Sequence, residues 1–282
     1  MARLWAERSE TRVIPEPVSR IAETASGGEP SLQEALPPPL APEEVHLWYA
    51  SLNQPPAQVE AFARILSPDE QARANRFFFE RDRRRFIVGR GVLRTLLGHY
   101  VRIPPANLSL GRGPHGKPLL ETPADGKRLC FNLAHSHEAA LYAIAWNREV
   151  GVDLEHLRPI SRVREIVDRF FTPRERETFL QLPPEQQLEG FFNGWTRKEA
   201  YLKACGVGLA GSLDTVEVSL APGQPATLSV PHATDDLPEP WSIRALTPAD
   251  GYVAALVVRG QAWRLVCLTW QPPPYNAISN PS

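Results

Sequence analysis

The stretch that most constrains the fold of this chain runs from Val150 to Glu155, where acidic and apolar residues alternate. It follows an apolar run at 139–146, and the two segments together predict a β-hairpin. Side chains two positions apart point to the same face of a strand, which sets the carboxylates of Asp153 and Glu155 side by side. A fold that contains this strand must therefore provide a partner for two adjacent negative charges.

A second stretch, Trp-Thr-Arg-Lys-Glu-Ala-Tyr-Leu-Lys, begins at Trp195 and predicts a helix. Positions four apart are neighbours on a helix, so Trp195, Glu199 and Lys203 share one stripe. If that stripe packs against the acidic face of the strand, three carboxylates meet beside one ammonium group. Mg²⁺ prefers oxygen ligands and commonly shares its coordination shell with phosphates. The residues thus predict a metal-assisted phosphoryl-transfer site, with Asp153, Glu155 and Glu199 as metal ligands and Lys203 facing the phosphate.

The charge balance and the cysteines narrow the class of protein. The 282 residues carry a net charge of −1, so no nucleic-acid partner is predicted. No run approaches eighteen apolar residues and the first residues lack an apolar signal core, which predicts a soluble, cytoplasmic protein without a membrane partner. The three cysteines, Cys130, Cys205 and Cys267, have neither metal nor disulfide spacing, which fits a reducing compartment.

Lysine is rare in this chain, and its positions are informative. Of 31 basic residues 27 are arginine, and three of the four lysines, Lys117, Lys198 and Lys203, fall inside motifs. Lysine is a compact point charge on a flexible stem, which suits a single phosphate oxygen. This usage favours a functional role over a solvated surface for these three residues.

A segment rich in arginine precedes the acidic strand. Ser67, followed by proline and two acids, predicts a helix start, and residues 81–94 hold six arginines against one acid, Asp82. Apolar residues within this segment keep the helical period. The segment therefore predicts a strongly basic helix or pair of helices.

The distribution of strands and helices predicts an α+β fold of two lobes, each a small antiparallel sheet packed on helices. The chain is expected to begin with a Pro-rich extension, disordered or loosely docked, and to end in a flexible tail. In order, the predicted segments are the extension 1–43, the N-terminal lobe 44–150, the C-terminal lobe 151–271 and the tail 272–282.

The sequences Gly-Val-Asp-Leu-Glu from Gly151 and Trp-Thr-Arg-Lys-Glu-Ala-Tyr-Leu-Lys from Trp195 resemble the paired signatures of the 4′-phosphopantetheinyl transferases of the surfactin-synthetase-activating type. The resemblance implies that the two lobes are a pseudo-twofold pair with the active site in the cleft. It also implies a Mg²⁺-dependent enzyme, with Mn²⁺ as a possible substitute. Such an enzyme transfers 4′-phosphopantetheine from coenzyme A to a serine of an acyl or peptidyl carrier protein and releases adenosine 3′,5′-bisphosphate.

Further residues match motifs of the same family. Arg85 opens the run Arg-x-x-x-Gly-x-x-x-Leu-Arg, and Lys117 lies in a Gly-Lys-Pro element. His135 lies in Phe-Asn-Leu-Ala-His-Ser, which resembles the family's Phe-Asn-x-Ser-His-Ser. The resemblance implies that Arg85, Lys117, His135 and Lys203 bind coenzyme A phosphates, with Lys198 reaching another part of the coenzyme. Ala134 replaces the usual serine, so one hydroxyl donor to the 3′-phosphate is missing.

The implied mechanism assigns the proton of the acceptor serine to Glu199 or to a metal-bound water, and charge neutralisation to Lys203. We expect an acidic helical carrier to dock near residues 172–192, where Arg174 and Arg176 could pair with it. A cleft complete within one chain suggests a monomer. Two other classes stay open: another Mg²⁺-dependent phosphotransferase or phosphodiesterase, and a non-catalytic accessory protein that binds coenzyme A or carriers.

Overall fold

In the computed structural model the protein is described over residues 19–20, 37–113, 115–121, 126–207, 213–230 and 240–272. The predicted Pro-rich extension falls mostly outside these residues, apart from strand β1, Ser19–Arg20, and the last residues before the first lobe. The predicted tail lies outside them from residue 273 onward.

The first half of the chain combines a sheet with three helices, as predicted. Its helix α2 begins with a capping box, in which the Ser67 side chain accepts from the Glu70 amide and the Glu70 side chain accepts from the Ser67 amide. In chain order the elements are β2 (Glu44–Ser51), α1 (Pro56–Ile65), α2 (Pro68–Ala74), α3 (Glu80–Val101), β3 (Leu110–Arg112), β4 (Pro118–Leu120), β5 (Leu129–Ser136) and β6 (Ala139–Trp146).

The second half repeats this combination of strands and helices. Gly206, in the left-handed region at φ 73°, caps its long helix α6. In chain order the elements are β7 (Val150–His156), α4 (Val163–Phe170), α5 (Pro173–Gln181), α6 (Pro184–Cys205), β8 (Glu217–Val218), β9 (Leu228–Ser229), β10 (Trp241–Thr247), β11 (Tyr252–Arg259) and β12 (Arg264–Thr269).

The two halves share one topology: a strand, a helix of 22 residues and a hairpin. In the first half β2 is followed by α3 and the hairpin β5–β6, and β6 pairs antiparallel with both β5 and β2. In the second half β7 is followed by α6 and the hairpin β10–β11, and β11 pairs antiparallel with both β10 and β7. The predicted α+β class with two similar lobes is therefore confirmed.

Each of the two main sheets gains a fourth strand from a distant part of the chain. Strand β1 pairs parallel with β10, and β12 pairs parallel with β2. Strand β12 therefore belongs to the first sheet, although it follows the second lobe in sequence. The predicted C-terminal lobe, residues 151–271, therefore includes one strand, β12, that belongs to the sheet of the first lobe.

The predicted hairpin of residues 139–146 with the acidic strand is wrong. Strand β6 already has β2 on one edge and β5 on the other, so it has no free edge for β7. Strand β7 crosses to the second sheet, where it pairs with β11 and forms the sheet edge. Asp153 and Glu155 therefore lie at an edge strand of the second lobe.

Apolar side chains from both sheets form a common core between the lobes. Val45, Leu141, Val152 and Leu256 are all fully buried in this cluster. One polar contact crosses the same boundary: the Asn132 Oδ1 accepts a hydrogen bond of 2.8 Å from the Val152 amide. This contact ties strand β5 of the first lobe to the acidic strand of the second. Among the residues that the structure describes, none of the helices combines the length and apolarity needed to cross a membrane.

Candidate active site

Helix α6 lies directly on strand β7 because the strand carries glycine at the point of contact. A Cβ atom on Gly151 would lie 2.1 Å from the Ala200 carbonyl oxygen and 2.3 Å from the Ala204 amide nitrogen. Both neighbours are backbone atoms, which cannot move aside as a side chain can. The glycine thus permits a close approach that brings the stripe of α6 against the acidic strand.

This packing places Lys203 beside Asp153. The Lys203 Nζ donates to Asp153 Oδ1 at 2.6 Å and to the Val152 carbonyl at 3.3 Å. The second carboxylate oxygen, Asp153 Oδ2, is buried without a hydrogen-bond partner, and so is Glu199 Oε1. Burying a carboxylate oxygen without a hydrogen-bond donor is unfavourable in free energy. A site with two such oxygens therefore favours binding of a cation or of a hydrogen-bond donor.

The electrostatics of the two carboxyl groups agree with that geometry. Burial raises the pKa of Asp153, and the Lys203 ammonium only partly offsets this effect. Burial also raises the pKa of Glu199, and the charges of Asp153 and Glu155 raise it further. The three carboxylates are thus close enough to repel one another, and a bound cation would relieve that repulsion.

Glu155 lies at the outer side of this cluster and is held by two donors. Its Oε2 accepts from the Ser136 hydroxyl at 2.9 Å and from Arg158 Nη1 at 2.8 Å. The Ser136 oxygen in turn accepts from the His156 amide at 3.1 Å, which fixes the hydroxyl between the two lobes. Sequence reasoning did not predict this role for Ser136. The Phe-Asn-x-Ser-His-Ser motif marks the residue but not its partner.

As placed, the carboxylates do not enclose a metal position on their own. Over the described ranges, no group of three His, Cys, Asp or Glu side chains is arranged so that it could hold a metal ion. Lys203 occupies one oxygen of Asp153, and Ser136 and Arg158 occupy one oxygen of Glu155. The two open oxygens fit a hard cation, and the magnesium ligation by all three carboxylates stays a prediction.

A cavity of about 820 Å³ opens beside this cluster, between the two lobes. Four of the predicted coenzyme ligands line it: Arg85, Lys117, His135 and Lys203. Others in its lining are Arg73, Phe77, Phe86, Arg90, Ser136 and His137. Five of these lining side chains are Arg or Lys, so the cavity suits a polyanion of the size of a nucleotide.

The surroundings of His135 in this cavity lower the pKa of its side chain. Partial desolvation in the cleft lowers the pKa of its imidazole, and the nearby charge of Lys203 lowers it further, with smaller contributions from Arg73 and Arg85. Glu155 acts in the opposite direction. The ring therefore favours its neutral form in the free protein, and a bound phosphate would favour the protonated form.

The arginines of α3 divide into cavity residues and core residues. Arg85 faces the cavity, where its Nη2 lies 3.2 Å from Glu138 Oε1. Arg94 is buried, and its Nε donates to Glu70 Oε2 at 2.5 Å. Arg90 lines the cavity but donates to the same carboxylate at 2.6 Å. Arg73 on α2 also lines the cavity, and the sequence does not single it out because it lies outside the dense arginine run of residues 81–94.

Lys117 reaches the opposite lobe. Its ammonium donates to Glu149 Oε2 at 3.1 Å, to the Val150 carbonyl at 3.1 Å and to the Ala204 carbonyl at 3.0 Å, near the end of α6. All three ammonium protons therefore have protein acceptors. Lys117 lines the cavity and clamps the two lobes together, and its contact with a coenzyme phosphate stays a prediction.

The structure contradicts the assignment of Lys198 to the coenzyme. The side chain is fully buried, lies 2.7 Å from Glu175 Oε2 and donates to the carbonyls of Leu213 and Val216. It is absent from the residues that line the cavity. Lys198 points away from the stripe of Glu199 and Lys203, so it ties α6 to α5 and to the segment that follows α6.

Ala134 is buried, with its side chain in the apolar core between the lobes. It also contributes to the wall of the cavity. The neighbouring Ser136, which could replace a missing hydroxyl at this wall, donates its hydrogen bond to Glu155. The wall at Ala134 thus lacks the hydroxyl donor that the family motif usually supplies there.

Comparison with known proteins agrees with this architecture. Residues 149–257 match the 4′-phosphopantetheinyl transferase superfamily, and residues 51–149 match the N-terminal region of 4′-phosphopantetheinyl transferases. The 4′-phosphopantetheinyl transferase HetI of Nostoc sp. is 45% identical over 225 residues, which are 80% of this chain and 92% of HetI. The 4′-phosphopantetheinyl transferase Sfp of Bacillus subtilis is 26% identical over 197 residues, 70% of this chain and 84% of Sfp.

A solved holo-(acyl-carrier-protein) synthase from Bacillus anthracis, in complex with coenzyme A, aligns with 40% of this chain and 96% of its own length, at 24% identity and a TM-score of 0.31.

The fold and the site together define a two-lobed α+β protein with a cleft lined by cationic side chains next to a carboxylate cluster. The chain belongs to the 4′-phosphopantetheinyl transferases, the enzymes that transfer phosphopantetheine from coenzyme A to carrier proteins.

Proposed function

We propose that this cleft transfers 4′-phosphopantetheine from coenzyme A to a serine hydroxyl of an acyl or peptidyl carrier protein, with the help of Mg²⁺. The observation that carries the proposal is the pair of open carboxylate oxygens, on Asp153 and Glu199, next to a cavity lined by cations. A phosphate ester bound in that cavity would place negative charge beside Lys203. Asp153 and Glu199 could then hold a divalent cation, which would supply positive charge next to that phosphate.

In this proposal the coenzyme enters with its phosphates toward the first lobe. Arg85 and His135 line the cavity there, and Arg73 adds a further positive charge. The guanidinium groups bind phosphate oxygens through parallel N–H donors, and His135 gains its proton as the phosphate arrives. These residues bind and orient the coenzyme and are not required to exchange protons with the reacting groups.

Asp153, Glu155 and Glu199 would hold the metal ion. When bound, Mg²⁺, or Mn²⁺ in its place, neutralises charge on the pyrophosphate and polarises its oxygens. Lys203 shares the Asp153 carboxylate and would offset charge that develops on the leaving group. Ser136 and Arg158 hold Glu155 in orientation from the outer side.

Glu199 is our candidate for the proton acceptor. Burial and two neighbouring carboxylates raise its pKa, which makes it a stronger base than an exposed glutamate. The serine oxygen would form a bond to the phosphorus that carries pantetheine, while its proton passes to Glu199. The bond from that phosphorus to the bridging oxygen breaks, and adenosine 3′,5′-bisphosphate leaves.

We further infer that the enzyme works as a monomer in the cytoplasm. One chain supplies both lobes that line the cavity, so a second copy is not needed to complete it. All three cysteines are free thiols, as is typical of a reducing compartment.

Replacing Lys203 tests the proposal. We expect Lys203→Met to lower kcat for transfer to apo-acyl carrier protein by about 100-fold or more, because the developing charge loses its counter-charge. Lys127→Met, at an exposed lysine of the same chain, serves as the matched control. Transfer at the wild-type rate by a folded Lys203→Met protein would refute the role of this lysine.

A further inference from the structure

Three consecutive phenylalanines lie exposed in the connection between α2 and α3. The side chains of Phe77, Phe78 and Phe79 are 38%, 91% and 61% exposed, and we call them the aromatic patch. Large aromatic side chains are seldom left in water as a contiguous group, because each forfeits the favourable free energy of burial. Such a patch on a folded protein is characteristic of a surface that binds a partner.

The aromatic patch lies at the rim of the cavity. Phe77 itself lines the cavity and packs on Phe86, with ring centroids 5.4 Å apart. Phe78 and Phe79 contact each other edge to face at 4.9 Å and extend outward from there. A molecule seated on the patch would therefore reach the mouth of the cleft.

The surroundings of the aromatic patch are basic, although the chain as a whole has a net charge of −1. The segment 73–85 contains six arginines and only two acids. Glu80 and Asp82, the two acids, each pair with an arginine of the same helix turn. The surface thus combines exposed aromatic rings with excess positive charge, which complements an acidic partner that carries apolar side chains.

Residues 172–192, where the sequence predicts that the carrier docks, present fewer exposed apolar side chains than the aromatic patch does. Its aromatic side chains at Phe179, Phe191 and Phe192 are buried in the core of the second lobe. Arg176 donates to the Phe171 carbonyl, and Arg174 pairs with Glu217. Leu180, 58% exposed, is the large apolar side chain that remains at the surface there.

We propose that the aromatic patch is where the carrier protein docks, by an acidic amphipathic helix that seats an apolar side chain against Phe78 and Phe79. Carboxylates of that helix would face Arg76 and Arg81, which flank the patch. The choice of a carrier helix rests on the proposed function: the acceptor serine must reach the donor phosphate, and the patch borders the cavity that would hold the donor. An anionic membrane surface could also pair with these arginines. Membrane binding, however, does not require the patch to border the cavity.

The test compares the two candidate surfaces in the full-length protein. Phe78→Ser and Leu180→Ser each remove one exposed apolar side chain, so both variants should fold. With purified apo-acyl carrier protein, we expect Phe78→Ser to raise the KM for the carrier about tenfold, which corresponds to 1.4 kcal/mol. The KM for coenzyme A should stay within about twofold, and Leu180→Ser should match wild type on both measures.

A charge variant provides a second, independent readout. Arg76→Glu combined with Arg81→Glu should slow association with the carrier and weaken its dependence on salt concentration. An unchanged carrier KM in Phe78→Ser, or a larger rise in Leu180→Ser, would overturn the docking proposal. So would loss of binding to phosphatidylserine vesicles in Phe78→Ser without any change in carrier kinetics.

Direct binding separates this proposal from the proposed function. Surface plasmon resonance with immobilised apo-acyl carrier protein needs no turnover. Binding that Phe78→Ser weakens, in a protein that transfers nothing, would support the docking surface and contradict the proposed function. Transfer by wild type together with unchanged carrier binding in Phe78→Ser would support the proposed function and contradict the docking surface.

Discussion

Glu199 occupies a position that destabilises its charged form. Burial and the carboxylates of Asp153 and Glu155 raise its pKa, so the folded state binds this proton more tightly than the unfolded chain does. The contribution of Glu199 to stability is therefore most favourable at acid pH and is lost as pH rises through the raised pKa. At neutral pH, without a cation, the charged carboxylate should make the fold less stable.

The isosteric change Glu199→Gln removes that charge. We expect a higher Tm than wild type at neutral pH in the presence of a chelator, together with loss of transfer activity. Mg²⁺ should raise the Tm of wild type and have little effect on the variant, because binding of a ligand to the folded state alone stabilises it. Thermal unfolding with and without Mg²⁺ measures this. An equal Mg²⁺ effect in both proteins would contradict Glu199 as a metal ligand.

Sequence reasoning at the scale of single residues succeeded where spacing alone decides the outcome. Positions four apart on one helix set Glu199 and Lys203 on the stripe that meets Asp153. It failed for Lys198, because the partner that buries this lysine, Glu175, belongs to another helix. No local pattern distinguishes a lysine that faces a phosphate from one that faces a buried carboxylate.

At the scale of elements, the contact between β7 and α6 depends on Gly151. We expect Gly151→Ala to force the helix away from the strand and to lower the free energy of unfolding by about 1–3 kcal/mol or more. The shift also separates Lys203 from Asp153, so transfer activity should fall further than the stability loss explains. Chemical denaturation and single-turnover kinetics on the same sample check both effects. Wild-type stability in Gly151→Ala would contradict this account of the glycine.

The ion pair of Lys198 and Glu175 links α6 to α5. Burial lowers the pKa of Lys198, and the Glu175 carboxylate opposes that effect. We expect Lys198→Met to lower the free energy of unfolding by about 3–5 kcal/mol, because it leaves a buried carboxylate unpaired. The affinity for coenzyme A should be unchanged in the folded variant at low temperature. A lowered affinity with unchanged stability would restore Lys198 to the coenzyme site.

The elements themselves were largely predictable, because their signals are local. The capping boxes at Ser67 and Thr172 mark two helix starts, and Gly206 marks the end of α6.

At the scale of the whole molecule, pairing between distant strands was the part that the sequence did not reveal. An apolar run followed closely by an acidic strand favours a hairpin, yet β6 is enclosed by β2 and β5 and β7 joins β11. The return of β12 to the first sheet has no local signal either. Together with the clamp of Lys117 and the contact of Asn132 with Val152, these pairings hold the two lobes around one cavity.

At the scale of the whole protein, we propose that this cavity and its carboxylates catalyse phosphopantetheine transfer. The most direct measurement is the intact mass of apo-acyl carrier protein after incubation with coenzyme A, Mg²⁺ and either wild type or Glu199→Gln. We expect wild type to add the mass of one phosphopantetheine group to the carrier, and the folded variant to add none. An unmodified carrier with wild type, or an equal gain with the variant, would contradict it.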